Sequence, residues 1–156
     1  MTTTALPLGP DPHPSAGPHA DRVLVVTPSR CSGCRTCELA CAVAHGRQMM
    51  PARSRVRAYS LGEKRNIPIM CLQCDSAACA RVCPVEALVR SAATGAIEVI
   101  QDRCIRCLAC IPACPFGNIT IDPSVSRVVK CDLCGGNPIC AQFCPTGTLV
   151  FDVPRR

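Results

Sequence analysis

Sixteen cysteines lie in four short runs, and none lies outside them. The third run, C-I-R-C-L-A-C-I-P-A-C-P, supplies Cys104, Cys107, Cys110 and Cys114, followed by Pro115. The first supplies Cys31, Cys34, Cys37 and Cys41. The second supplies Cys71, Cys74, Cys79 and Cys83, with four residues (DSAA) before its third cysteine. The fourth supplies Cys131, Cys134, Cys140 and Cys144, with five residues (GGNPI) in that place. Every run opens C-x2-C, and the third keeps the C-x2-C-x2-C-x3-C-P spacing of iron–sulfur ligands throughout. Thiolates so spaced wrap the irons of a cubane in one loop, and one-electron transfer is the chemistry of such sites. Small residues (Gly33, Ala109, Gly135, Gly136) let the loops curl until their N–H groups face the sulfurs. Pro84, Pro115 and Pro145 fix φ after the last cysteine and leave no N–H unpaired.

Other chemistries fit less well. Zinc sites combine two separated C-x2-C pairs or add histidine, whereas here third and fourth cysteines follow at once and the only histidines are His13, His19 and His45. His45, four residues after Cys41, is read as structural. A disulfide scaffold would pair distant cysteines rather than cluster them. No Ser-His-Asp set, phosphate loop or acid–base pair stands out, so the chain is expected to carry electrons without substrate chemistry of its own. The basic residues beside cysteines (Arg30, Arg35, Arg103, Arg106, Lys130) are expected to raise cluster potentials by favouring the added electron.

The elements that must position these runs are short. Arg22 to Val26 reads as a strand. Cys41 to Gly46 continues as a helical turn ended by Pro51, and 53–59 alternates as a half-buried strand with a basic outer face. Val85 to Leu88 leads through a Thr94-Gly95 turn to a strand at Ile97 to Ile100. Ile119 to Ile121 is a strand broken by Pro123, Arg127 to Lys130 leads into the fourth run, and Thr148 to Phe151 is the last strand. One unit of strand, cysteine loop, turn and strand thus recurs four times. The fold expected is small α+β: two fused bacterial-ferredoxin-like modules with short strands and short helical turns around four clusters. Residues 1–21, with five prolines, are expected to be a disordered or extended arm. Residues 22–156 are the four-cluster unit, with an inner module at about 66–122 and an outer one from 22–60 plus 123–153.

With no Trp, one Tyr and three Phe in 156 residues, the core must draw stability from metal. The formal charge of +6 counts thiols as neutral. A [4Fe-4S] site with four thiolates is about 2− when oxidised, so four sites bring the total to about −2. The arginine excess is then counter-charge for buried anions rather than a nucleic-acid footprint, and the scarcity of aromatics argues the same way. No signal peptide or bilayer-spanning run is seen, and the protein is expected to be soluble and cytoplasmic.

The connection C-P-V-E-A-L…T-G-A-I-E-V…C-I-R-C resembles a two-cluster bacterial ferredoxin. That resemblance implies ligand exchange: Cys71, Cys74 and Cys79 with Cys114, and Cys104, Cys107 and Cys110 with Cys83. The first and last runs are then left for each other, Cys31, Cys34 and Cys37 with Cys144, and Cys131, Cys134 and Cys140 with Cys41. The outer strands, Arg22 to Val26 and Thr148 to Val153, are candidates to pair and draw these runs together. Pairing first with second and third with fourth is the open alternative. From Arg22 to Phe151 the chain also resembles the four-cluster ferredoxin-type subunits of molybdenum and tungsten oxidoreductases, formate hydrogenlyases and carbon monoxide dehydrogenases. The carrying motifs are C-x2-C-R-T-C-E-L-A-C, P-A-R-S-R-V-R, the central pair, and K-C-D-L-C-G-G-N-P-I-C-A-Q-F-C-P-T-G-T-L. The resemblance implies the nested ligand pairing and a row of four [4Fe-4S] clusters between a catalytic oxidoreductase subunit and a second redox partner. The short form looks most like the subunit accompanying tungsten aldehyde oxidoreductase. Service to carbon monoxide dehydrogenase, hydrogenase or formate dehydrogenase, and self-association into a conducting scaffold, are the alternatives. No nucleic acid and no direct membrane insertion are expected.

Overall fold

The computed structural model describes residues 21–46, 49–62, 65–122 and 124–153. The arm expected at 1–21 lies outside them apart from Asp21, as does Pro123. Among the described residues eight strands form four antiparallel pairs. β1 (Val23–Val26) joins β8 (Leu149–Asp152), from opposite ends of the chain. The other pairs are local: β2 (Val56–Ser60) with β3 (Asn66–Met70), β4 (Leu88–Arg90) with β5 (Ile97–Val99), and β6 (Ile119–Asp122) with β7 (Arg127–Lys130). The small α+β fold and the pairing of the outer strands are as expected. No helix among the described residues is long and apolar enough to cross a membrane.

Each cysteine run places its third cysteine in a helix. α2 (Ala78–Arg81), α3 (Cys110–Ala113) and α4 (Ile139–Gln142) are single turns holding the third cysteine of their runs. α1 (Thr36–Gly46) has eleven residues: it ends where the turn expected over Cys41 to Gly46 ends but begins five residues earlier, and unlike the other three it continues past the fourth cysteine of its run. The reason is local. A proline follows the fourth cysteine of the other runs and bars a helix there, whereas Ala42 follows Cys41 and lets α1 continue. β3 has no counterpart among the strands expected from the sequence, and Pro68 lies within it. A two-stranded ladder has only edge strands, where a missing N–H is tolerated, and Pro68 sits opposite Ala58.

Three small buried clusters form the core, and cysteines are part of each. One unites Cys37, Cys41, Val56, Ala58, Met70, Cys140 and Leu149. A second unites Ala77, Leu88, Ile97, Cys110, Ile119 and Val128. The third unites Ala96, Cys131 and Leu133, with Cys71 packed against it. β2 alternates as expected, with Val56 and Ala58 buried. Its arginines are not merely solvated, however: Arg55 pairs with Asp132, and Arg57 donates to the Pro51 and Ala52 carbonyls. Glu38, buried in the first turn of α1, accepts the Ala58 N–H at 2.7 Å and so fastens α1 to β2. Glu38→Ala would leave that N–H without a partner. We expect a loss of about 1–3 kcal/mol, read as a lower guanidinium midpoint for cluster loss.

Candidate functional site

All sixteen cysteines are unbridged. Cys31, Cys34, Cys37 and Cys144 line one pocket, with Arg35, Thr146 and Leu149. Cys41 lies not with its own run but beside Cys131, Cys134 and Cys140, each of which feels its charge. Cys79 feels Cys71 of its own run and Cys114 of the next. Cys110 feels Cys104 and Cys107, and Cys83 packs with Cys104 against the apolar cluster that contains Cys110. Cys74 is half-buried, its carbonyl held by Arg90 at 2.6 Å. Between these sets the close pairs are Cys37 with Cys140, Cys131 with Cys71, and Cys110 with Cys79. Only Cys34 and Cys107 are exposed, while Cys37, Cys41, Cys110, Cys131 and Cys140 are buried.

The backbone is bent to serve the sulfurs. Left-handed residues flank the second cysteine of the runs: Gly33 and Arg35 (φ 74° and 59°), Gln73 (51°), Arg106 and Leu108 (56° and 63°), and Leu133 (54°). In the fourth run the left-handed stretch continues through Cys134, Gly135 and Gly136. Outside glycine such conformations are uncommon and carry strain, and they turn successive N–H groups into an anion-binding concavity. A second device recurs after the fourth cysteine. In C-P-V-E-A, C-P-F-G-N and C-P-T-G-T-L, the third residue on is left-handed (Glu86, Gly117, Gly147). The turn then brings a later N–H onto the cysteine sulfur: Ala87 on Cys83 at 3.2 Å, Asn118 on Cys114 at 3.3 Å and Leu149 on Cys144 at 3.5 Å. Cys41, lacking that turn, accepts the Arg55 N–H at 3.2 Å instead.

These surroundings divide the thiols. Burial pushes Cys37 up to about 11 and Cys131 up to about 12, and raises Cys140, whose neighbours Cys131, Cys41, Cys134 and Cys37 add to the effect. Burial also opposes ionisation of Cys83 and Cys144, yet the N–H groups of their turns outweigh it and bring both below the usual thiol value. The Thr36 hydroxyl, donating at 3.4 Å, lowers Cys34. Crowded buried thiols of raised pKa facing preformed N–H donors are what a soft, strongly charged metal group requires. The metal supplies the driving force for deprotonation, and the N–H groups receive the anionic sulfur. The residues therefore fit an iron–sulfur cluster.

Two supporting groups, Asp132 and Arg55, escaped the sequence reading. Asp132 caps the turn after Cys131: it accepts the Cys134 N–H at 3.0 Å and pairs with Arg55 at 2.6 Å. His45 Nε2 stands 3.5 Å from both Asp132 and Cys134 Sγ. Burial, then the charge of Arg55, hold its imidazole below the ordinary value. The K-C-D-L-C motif displays Asp132 as a cap residue, but nothing local points to Arg55, 77 positions away. Burial works to raise the Asp132 carboxyl, but Arg55 and the hydrogen bonds hold it below its usual range. Its stabilising share is thus present at neutral pH and lost as pH falls through that depressed value. Asp132→Ala should speed cluster loss about five- to thirtyfold at pH 7, the equivalent of about 1–2 kcal/mol. Stopped-flow bleaching in guanidinium at pH 7 checks this.

Residues 63–153 match the 4Fe-4S dicluster domain, and residues 28–44 match a 4Fe-4S binding domain. The aliphatic sulfonate oxidoreductase polyferredoxin-like subunit of Pyrococcus furiosus is 42% identical, over 78% of this chain and 70% of that protein. The putative electron transport protein YsaA of Escherichia coli K12 is 40% identical, over 83% and 88%. The electron transport protein HydN of the same strain is 33% identical, over 83% and 87%. Among solved structures, the BamBC active site complex of benzoyl coenzyme A reductase with 1,5-dienoyl-CoA is similar in fold. Its TM-score is 0.50 at 24% identity, covering 86% of this chain and 77% of that one. The chain belongs to the 4Fe-4S dicluster domain family and is an electron-transfer iron–sulfur subunit of the kind that serves oxidoreductase complexes.

Proposed function

We propose that the chain holds four [4Fe-4S] clusters in four cages and relays single electrons between a catalytic oxidoreductase subunit and a second redox partner. The cages are Cys31, Cys34, Cys37 and Cys144; Cys131, Cys134, Cys140 and Cys41; Cys71, Cys74, Cys79 and Cys114; and Cys104, Cys107, Cys110 and Cys83. Each cluster, when bound, accepts and returns one electron. The protein's part is to hold the cages in that order, since neighbouring cages touch at Cys37 and Cys140, at Cys131 and Cys71, and at Cys79 and Cys110. The observation that carries the reading is exposure. Cys34 and Cys107, the two exposed cysteines, belong to the two ends of the row, and no cysteine of the cages between is exposed.

Two ferredoxin-like modules account for the arrangement: an inner one around the second and third runs, and an outer one closed by β1 and β8. Hairpins β2–β3 and β6–β7 fasten the two together. The likeness to a polyferredoxin-like subunit of an aliphatic sulfonate oxidoreductase supports a catalytic oxidoreductase partner, and the motif resemblance makes that partner one related to tungsten or molybdenum aldehyde oxidoreductases. The chain itself is read as non-catalytic. Anaerobic capture of the tagged chain should retain such a subunit. An aldehyde should then bleach the visible absorption of the complex and leave that of the isolated chain unchanged. Bleaching of the isolated chain by substrate would overturn the non-catalytic reading.

A further inference from the structure

Lys130 precedes the fourth run and is only 3% exposed. Its ammonium donates to Gln73 Oε1 at 3.2 Å, to the Cys131 carbonyl at 2.9 Å and to the Ile97 carbonyl. All three acceptors are neutral. None of the ion pairs among the described residues includes it. Glu98 and Asp132 line the same cleft, but Asp132 is engaged by Arg55 and His45, and Glu98 lies 3.5 Å from the Thr94 hydroxyl. An ammonium buried in this way is costly unless opposite charge lies close by. Its contacts belong to two different cages: Gln73 lies between Cys71 and Cys74, and the Cys131 carbonyl belongs to the fourth run.

Gln73 completes the arrangement. Held in a left-handed conformation between Cys71 and Cys74, it accepts the Ile97 N–H at 2.9 Å and the Lys130 ammonium on Oε1. Its Nε2 donates to the Cys131 carbonyl at 2.8 Å. One amide thereby ties the loop of the second run to the first cysteine of the fourth, directly over the lysine. The seam between the two cages is polar, fully hydrogen-bonded and positively charged.

We propose that Lys130 is a counter-ion shared by the two inner cages, Cys71–Cys74–Cys79–Cys114 and Cys131–Cys134–Cys140–Cys41, and that it raises both of their potentials together. This rests on the four-cage reading above. It separates Lys130 from the other basic residues beside cysteines: Arg30, Arg35, Arg103 and Arg106 are exposed, where water and salt screen them. The buried charge favours an electron in the middle of the row over one at either end.

The test is a redox titration of the full chain, isolated anaerobically and followed by EPR, for wild type, Lys130→Met and Lys130→Arg, with iron and sulfide counted for each. Lys130→Met should lower two of the midpoint potentials and leave the other two in place, while Lys130→Arg keeps all of them near wild type. Should Lys130→Met fail to take up iron while Lys130→Arg loads fully, the charge is needed to assemble the seam, which also supports the proposal. Unchanged potentials in Lys130→Met, a shift confined to one cluster or spread evenly over all, or equal losses in both variants would overturn it. Failure of the four-cage reading would show separately, in the metal content of the wild type.

Discussion

Stripped of its iron, the chain loses its native structure altogether. The three buried clusters are small, and five of their members are cysteines: Cys37, Cys41, Cys110, Cys131 and Cys140. The largest fully buried side chains are Met70, Leu149, Val56 and Val128, with no aromatic among them. Among the described residues every sheet has two strands and three of the four α-helices are single turns, and such elements are marginal in isolation. The left-handed loops add strain that only bound metal offsets. Site formation and folding are then one equilibrium, worth about 10 kcal/mol or more where it has been measured for structural metals. Circular dichroism of iron-free protein kept reduced should show a largely disordered chain with no cooperative melt. A sharp melting transition of that sample would refute the argument.

The second large effect is expected at Cys140. It is buried among Cys131, Cys134, Cys41 and Cys37, at the contact between the first cage and the next. Cys140→Ala should remove about one quarter of the bound iron and cut the row, so that the end cages still reduce but no longer exchange electrons through the protein. Cys34→Ala should cost the same iron, yet leave the rest of the row conducting up to Cys107. Iron analysis paired with rates of electron passage from a donor at one end to an acceptor at the other distinguishes the two. Equal rates for Cys140→Ala and wild type would remove Cys140 from the path.

The chemistry was legible because ligand spacing is local. So were the outer strands, whose apolar runs RVLVV and TLVF stand out even though β1 and β8 lie 123 positions apart at their closest partners, Val26 and Leu149. Local rules failed where context overrode them. β3 was missing from the expected strands, and the proline within it, Pro68, is accommodated by a two-stranded ladder. The turn expected over Cys41 to Gly46 is present, but α1 begins at Thr36, inside the cysteine run, where ligand spacing masks a helical pattern. The supporting groups were hidden for a different reason. Gln73, Arg55 and Glu38 act on Cys131, Asp132 and Ala58, partners 58, 77 and 20 positions away, and no periodicity signals a single polar side chain reaching across the fold. Lys130 was visible as a basic neighbour of a cysteine, but only burial sets it apart from four exposed arginines.

The central claim is that sixteen thiolates build four cubane cages, and counting metal tests it most directly. Anaerobically purified protein should contain about sixteen iron and about sixteen acid-labile sulfide per chain, be brown, and give EPR signals after dithionite. Colourless protein that holds zinc without sulfide and stays EPR-silent would contradict the account.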